Sequence, residues 1–107
     1  MPTAAPDLFR TLADPTRRAV FERLAVEGEL SVGDLVAGAG VSQPAVSQHL
    51  AVLRQAGLVT ERRDGRFIRY AAAPGGLKPL VYWMALYAVF WRRRFDLLED
   101  LLNRMDQ

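Results

Sequence analysis

The chain contains no cysteine and only one histidine, His49. The first absence excludes disulfides, thiolate metal sites and cysteine nucleophiles. The second leaves too few imidazoles for a histidine-built metal centre within one chain. Long apolar runs are missing as well. The longest, Leu80 to Trp91, spans twelve residues, and a bilayer crossing needs about 20. Met1 to Asp7 has neither a basic start nor an apolar core, so no signal peptide is expected and a cytoplasmic location is. There is no glycine-rich phosphate loop, and Ser42, Ser47 and His49 share one segment with no third group to orient the imidazole. No catalytic residue, no cofactor and no enzyme activity are therefore expected.

What remains is 107 residues, 50% of them apolar and 24% charged. That is an ordinary globular composition, and the length suits one domain able to bury a core without staples. A single domain over 1–107 is expected. The formal charge is only +2, too little by itself to indicate a nucleic-acid partner, so its placement matters.

Pro6 and Asp7 open a short helix that runs through Ala13. Asp14 is a good N-cap, with Pro15 at the first helical position, where its missing N–H costs nothing. Val20, Phe21, Leu24 and Ala25 carry that second helix to Gly28. Ser31 caps a third helix of about two turns, with Asp34 near its N-terminus, and Gly38-Ala39-Gly40 breaks it. Ser42 caps a fourth, with Pro44 in its first turn and Val46, Leu50 and Leu53 on its apolar face, ended by Gly57. Leu58–Arg63 and Arg66–Ala72 then read as two strands around Asp64-Gly65, a type I′ hairpin signal. That register opposes Arg63 to Arg66, Glu61 to Ile68 and Val59 to Tyr70, and places Arg69 against Thr60.

After a Pro74-Gly75-Gly76 linker, apolar residues recur about every 3.5 positions from Leu77 to Met105. They predict one long helix to about Arg104, roughly 40 Å in length. It is apolar over too wide an arc for a domain this small to cover. Its economical partner is a second copy of the chain. The aromatic cluster of Trp83, Tyr87, Phe90 and Trp91 reads as dimer core, with a small-molecule pocket as the sharper alternative. Arg92-Arg93-Arg94 reads as a solvated turn able to pair with Asp96, Glu99 and Asp100. Those carboxylates suit a solvated face better than a hard-metal site.

A short helix, a glycine-rich turn and a helix opening Ser42-Gln43-Pro44-Ala45-Val46-Ser47-Gln48-His49-Leu50 form a helix-turn-helix, and the basic hairpin after it makes the winged variant. The expected class is mainly α with a small β-hairpin. Gln43, Ser47 and Gln48 offer base-reading groups, since glutamine can bond adenine at N6 and N7. Ser42 is placed to bond a phosphate and Ala45 to meet a thymine methyl. His49 has two readings: a phosphate contact, and the more ordinary partly buried imidazole hydrogen-bonded to a neighbouring element. Between Arg54 and Ala73 there are five arginines against Glu61 and Asp64, a net of +3 that exceeds the whole-chain balance. Arg62, Arg63, Arg66 and Arg69 are accordingly the expected backbone contacts. A winged-helix adaptor that binds protein instead of DNA is the alternative.

Leu12-Ala13-Asp14-Pro15-Thr16-Arg17-Arg18, Gly28 to Leu35, Val41 to Leu50 and Leu53 to Val59 together resemble the ArsR/SmtB winged-helix repressors over residues 8–105. The resemblance implies a homodimer built on the first and last helices and an inverted-repeat operator in double-stranded DNA. Residues 8–76 would be the DNA-binding core and 77–105 the dimerisation helix. Leu8, Leu12, Leu80, Trp83, Met84, Tyr87, Trp91, Phe95 and Leu98 would line the interface. Where many members carry a metal-binding Cys-x-Cys pair, this chain has Ser31 and Gly33. No histidine accompanies Asp96, Glu99 and Asp100, so neither family metal site is recognisable. The block Tyr82 to Phe95 resembles a metal-free branch. The effector is left open between a small molecule, a protein and none.

Overall fold

The computed structural model describes residues 5–106. Helix α1 covers Ala5–Ala13 and α2 Pro15–Glu27. A two-residue strand β1, Leu30–Ser31, leads into α3, Val32–Val36, and then α4, Gln43–Gln55. Strands β2 (Val59–Asp64) and β3 (Phe67–Ala72) follow, then a 3₁₀ turn over Pro74–Leu77, α5 (Lys78–Ala85) and α6 (Ala88–Met105).

The start signals act as their chemistry dictates. Asp14 accepts the Arg17 backbone N–H at 3.0 Å with Pro15 behind it. Ser31 and Asp34 form a reciprocal capping box. Ser42 accepts the Ala45 N–H at 3.3 Å. These bonds satisfy N–H groups that the first helical turn leaves without a partner.

The core lies where α1, α2, α3 and α4 meet the base of the hairpin. Leu8, Leu24, Leu35, Val46, Leu50, Leu53 and Leu58 are all 1% exposed or less. Leu8 therefore belongs to the chain's own interior and has no side-chain surface left for a second copy. Leu12 and Leu80 are half-buried against the same core.

The sheet has three strands in the order β1-β3-β2, all antiparallel. Strand β1 carries too little pattern in two residues to be read from sequence. The hairpin register also differs from the expected one. Asp64 pairs with Phe67, Arg62 with Arg69, Glu61 with Tyr70 and Val59 with Ala72. The turn is thus Gly65-Arg66. Gly65 takes φ +61° and Arg66 does not take a positive φ, which fits a turn with glycine first rather than the type I′ form that needs positive φ at both positions. One residue of shift in the turn moves every cross-strand partner by two.

The single long helix is not continuous. Leu86 and Tyr87 donate to Trp83 and Met84, three residues back, and Tyr87 turns to φ −110°, ψ 18°. The helix tightens, stops and restarts at Ala88. Neither glycine nor proline marks the break, so the periodicity runs straight through it. Phe9 of α1 meets Trp83 of α5 edge-on at 5.2 Å, tying α5 to α1. The radius of gyration is 18.0 Å, against about 13 Å for a compact chain of this length. Every residue of α6 is exposed. No helix among the described residues is long and apolar enough to cross a membrane.

Candidate nucleic-acid interface

Helix α4 presents two faces. Val46, Leu50 and Leu53 are buried beneath it, while Ser42, Gln43, Ser47 and Gln48 are exposed on the other side. The helix repeat places Gln43 and Ser47 one turn apart, with Gln48 beside them. Ala45 is half-buried, at the edge of this face.

His49 is not part of the exposed row. It follows Val46 by three residues, on the inward side, and is half-buried with its Nδ1 buried and lacking a hydrogen-bond partner. It also lies close enough to Asp14 to help hold that carboxyl below its ordinary value, after the larger effect of the Arg17 backbone N–H. The side chain thus turns toward the start of α2, because its position in the helical repeat falls with the core residues. The expected hydrogen bond to a neighbouring element is not formed at Nδ1.

A cleft of about 360 Å³ separates the N-terminal end of α4 from the wing. It is lined by Gln43 of α4, by Arg66, Phe67 and Ile68 of the hairpin, and by Ser31 and Gly33. The positions that carry cysteines elsewhere in the resembling family thus sit beside this cleft. Among the described residues no three histidine, cysteine, aspartate or glutamate side chains gather to hold a metal ion.

The arginines divide into two groups, a division that the sequence does not reveal. Arg62 makes two parallel bonds to Glu29, Nε to Oε2 at 3.1 Å and Nη2 to Oε1 at 2.6 Å. This contact holds the Glu29 carboxyl below its ordinary value. Arg54 reaches Glu61 at 2.6 Å. Arg69 lies 3.4 Å from Asp64 and 3.7 Å from Asp34, with its guanidinium 5.4 Å from the Phe67 ring centre. Arg63 and Arg66 make no ion pair among the described residues. Counting Glu29 and Asp34, which dock from outside the hairpin, three of the five arginines (Arg54, Arg62 and Arg69) are paired with four carboxylates. The uncompensated charge is concentrated at the wing tip.

Residues 12–62 match a helix-turn-helix domain family. A transcriptional regulator of Mycobacterium tuberculosis, Rv2034, is 51% identical over 77 residues, covering 71% of this chain and 71% of that protein. The transcriptional repressor SdpR of Bacillus subtilis is 33% identical over 73% of this chain and 86% of its own. An ArsR-like transcriptional regulator from Rhodococcus superposes with a TM-score of 0.69 at 28% identity, covering 90% of both chains. The chain belongs to the ArsR family of helix-turn-helix transcriptional repressors.

Within this ArsR-family frame, α3 and α4 are the helix-turn-helix, α4 is the recognition helix and β2-β3 is the wing. The adaptor alternative is not favoured, since the relatives are transcriptional regulators.

Proposed function

We propose that two copies of this chain bind an imperfect inverted repeat in double-stranded DNA and block transcription there, in the cytoplasm. Gln43, Ser47 and Gln48 read base edges in the major groove, Ser42 bonds a phosphate, and Ala45 meets a thymine methyl. Arg63 and Arg66 at the wing tip take phosphates or enter the adjacent minor groove. The observation that carries this reading is the exposed polar row on α4 beside two arginines free of ion pairs.

Two-fold symmetry sets the spacing of the half-sites at about 10–10.5 base pairs or a multiple of it. Footprinting the DNA upstream of the chain's own gene tests the proposal. Two protected half-sites at that spacing support it. No protection, together with no retention on random duplex at low salt, overturns it in favour of an adaptor. Repeating the footprint with candidate small molecules and proteins addresses the effector.

A further inference from the structure

Phe67 is 57% exposed near the tip of the wing, opposite Asp64 and next to Arg66. The core takes Leu58, Val59, Tyr70 and Ala72 from this part of the chain, and Phe67 lies beyond it. A phenyl ring left in water gives up the burial it could gain elsewhere. One face of the ring is already covered. Arg69, two residues on and therefore on the same side of the strand, holds its guanidinium 5.4 Å over the ring centre. Asp64 and Asp34 engage that guanidinium at 3.4 and 3.7 Å. The ring is thus backed by a fastened group, and both carboxylates are compensated. What it exposes is its edge and its other face. Phe67 also lines the cleft of about 360 Å³, together with Gln43 of α4 and Arg66.

Two of these lining residues are assigned above to different grooves, Gln43 to the major groove and Arg66 to a phosphate or the adjacent minor groove. One sugar–phosphate strand separates a major groove from the minor groove beside it. That strand therefore has to run through the cleft. We propose that Phe67 packs on a deoxyribose of this strand and makes the cleft selective for a 2′-deoxy sugar. The inference rests on the operator reading above and adds a sugar contact to it. The C–H groups of the sugar meet the open side of the ring, while Arg66 holds a neighbouring phosphate. A 2′-hydroxyl at that position would lose its water against a hydrocarbon ring and gain no hydrogen bond in exchange. The same hydroxyl is the group by which a protein tells RNA from DNA at a given site.

The experiment is an anisotropy titration of the full chain on the duplex found by footprinting, with one deoxynucleotide at a time replaced by its ribonucleotide. Wild type, Phe67→Ala and Phe67→Leu are compared, and urea midpoints check that each is folded. In the wild type, one backbone position per half-site should lose roughly tenfold in affinity on gaining the hydroxyl. Phe67→Ala should bind the all-deoxy duplex roughly tenfold more weakly, with the slope of log K against log salt unchanged because no charge is removed. At the sensitive position the ribonucleotide should then cost this variant nothing more. Phe67→Leu, still apolar, should keep the penalty. A wild type with no ribose-sensitive position overturns the sugar contact, whatever the variants do. So does an equal ribose penalty in Phe67→Ala, or all-deoxy binding by that variant as tight as wild type. A wild type that protects no DNA overturns the operator reading and the sugar contact with it. A normal footprint with any of the other adverse results removes the sugar contact alone.

Discussion

Arg62 and Glu29 meet in a two-point contact, 2.6 and 3.1 Å, that fastens the wing to the segment before β1. Arg62 also stands directly opposite Arg69 across the hairpin. Like charges in that position repel, and each arginine has recruited a carboxylate from outside its own strand. These two arginines position the wing, while Arg63 and Arg66, which make no ion pair among the described residues, are the ones proposed above to take phosphates. Salt dependence of binding to a fixed duplex separates the roles. Arg66→Ala should reduce the slope of log K against log salt by about one unit. Arg62→Ala should leave the slope close to wild type. Equal loss of slope in both variants would show that Arg62 leaves Glu29 for DNA.

Gln48 is exposed on α4 next to Ser47, on the face opposite the buried Leu50. Gln48→Ala should cost about 1–3 kcal/mol of specific binding and relax the preference at one base position. Binding to random duplex should be unchanged. A systematic screen of single-base operator variants reads this directly. An unaltered preference at every position would remove Gln48 from the reading set.

Local chemistry was the legible part of this fold. Asp14, Ser31 and Ser42 announce helix starts through side chains that bond within three residues, so the sequence contains both partners, and Gly57 announces the end of α4 through the positive φ it can adopt. The recognition helix was legible for the same reason: its buried and exposed rows follow the helical repeat. Three features were not. The hairpin turn depends on which residue around Gly65 takes the positive φ, and Asp64-Gly65 and Gly65-Arg66 both read as turns. The break at Leu86–Tyr87 arises from a tightening of hydrogen bonds that no residue type there requires. The occupied state of Arg62 and Arg69 depends on Glu29 and Asp34, more than 30 residues away in sequence, brought close only by β1 joining the sheet.

Acid should destabilise the domain through its capping carboxylates. Asp14 is held below its ordinary value of 3.8 first by the Arg17 backbone N–H, and Asp34 below 3.8 first by the Ser31 backbone N–H. Glu29 is held below 4.5 by the Arg62 side chain. A depressed carboxyl contributes stability above its unfolded value and loses it as pH falls through the folded one. The urea midpoint should therefore be flat down to about pH 5 and decline below about pH 4. Asp34→Asn, already neutral, should start from a lower midpoint and decline less steeply. A midpoint that rises with acid, or an Asp34→Asn profile parallel to wild type, contradicts this assignment.

Gly76 lies against the end of the recognition helix. A Cβ there would collide with the Gly57 carbonyl, which is backbone and cannot rotate away. Gly57 in turn takes φ +79° to end α4, and Leu58, next in the chain, donates to Leu53 and accepts from Ala73. The connection to α5 is thus seated directly on the terminus of α4. Gly76→Ala should cost about 1–3 kcal/mol, the range of forced overpacking. Gly75→Ala is the control, since nothing lies within contact of its Cβ position. It should be neutral or slightly stabilising, because alanine restricts the unfolded chain more than glycine does. Urea unfolding at constant m-value measures both. Equal midpoints for the two variants would mean that the approach of Gly76 to Gly57 does not constrain the fold. A fall confined to Gly76→Ala would tie the seat of α5 to the end of α4.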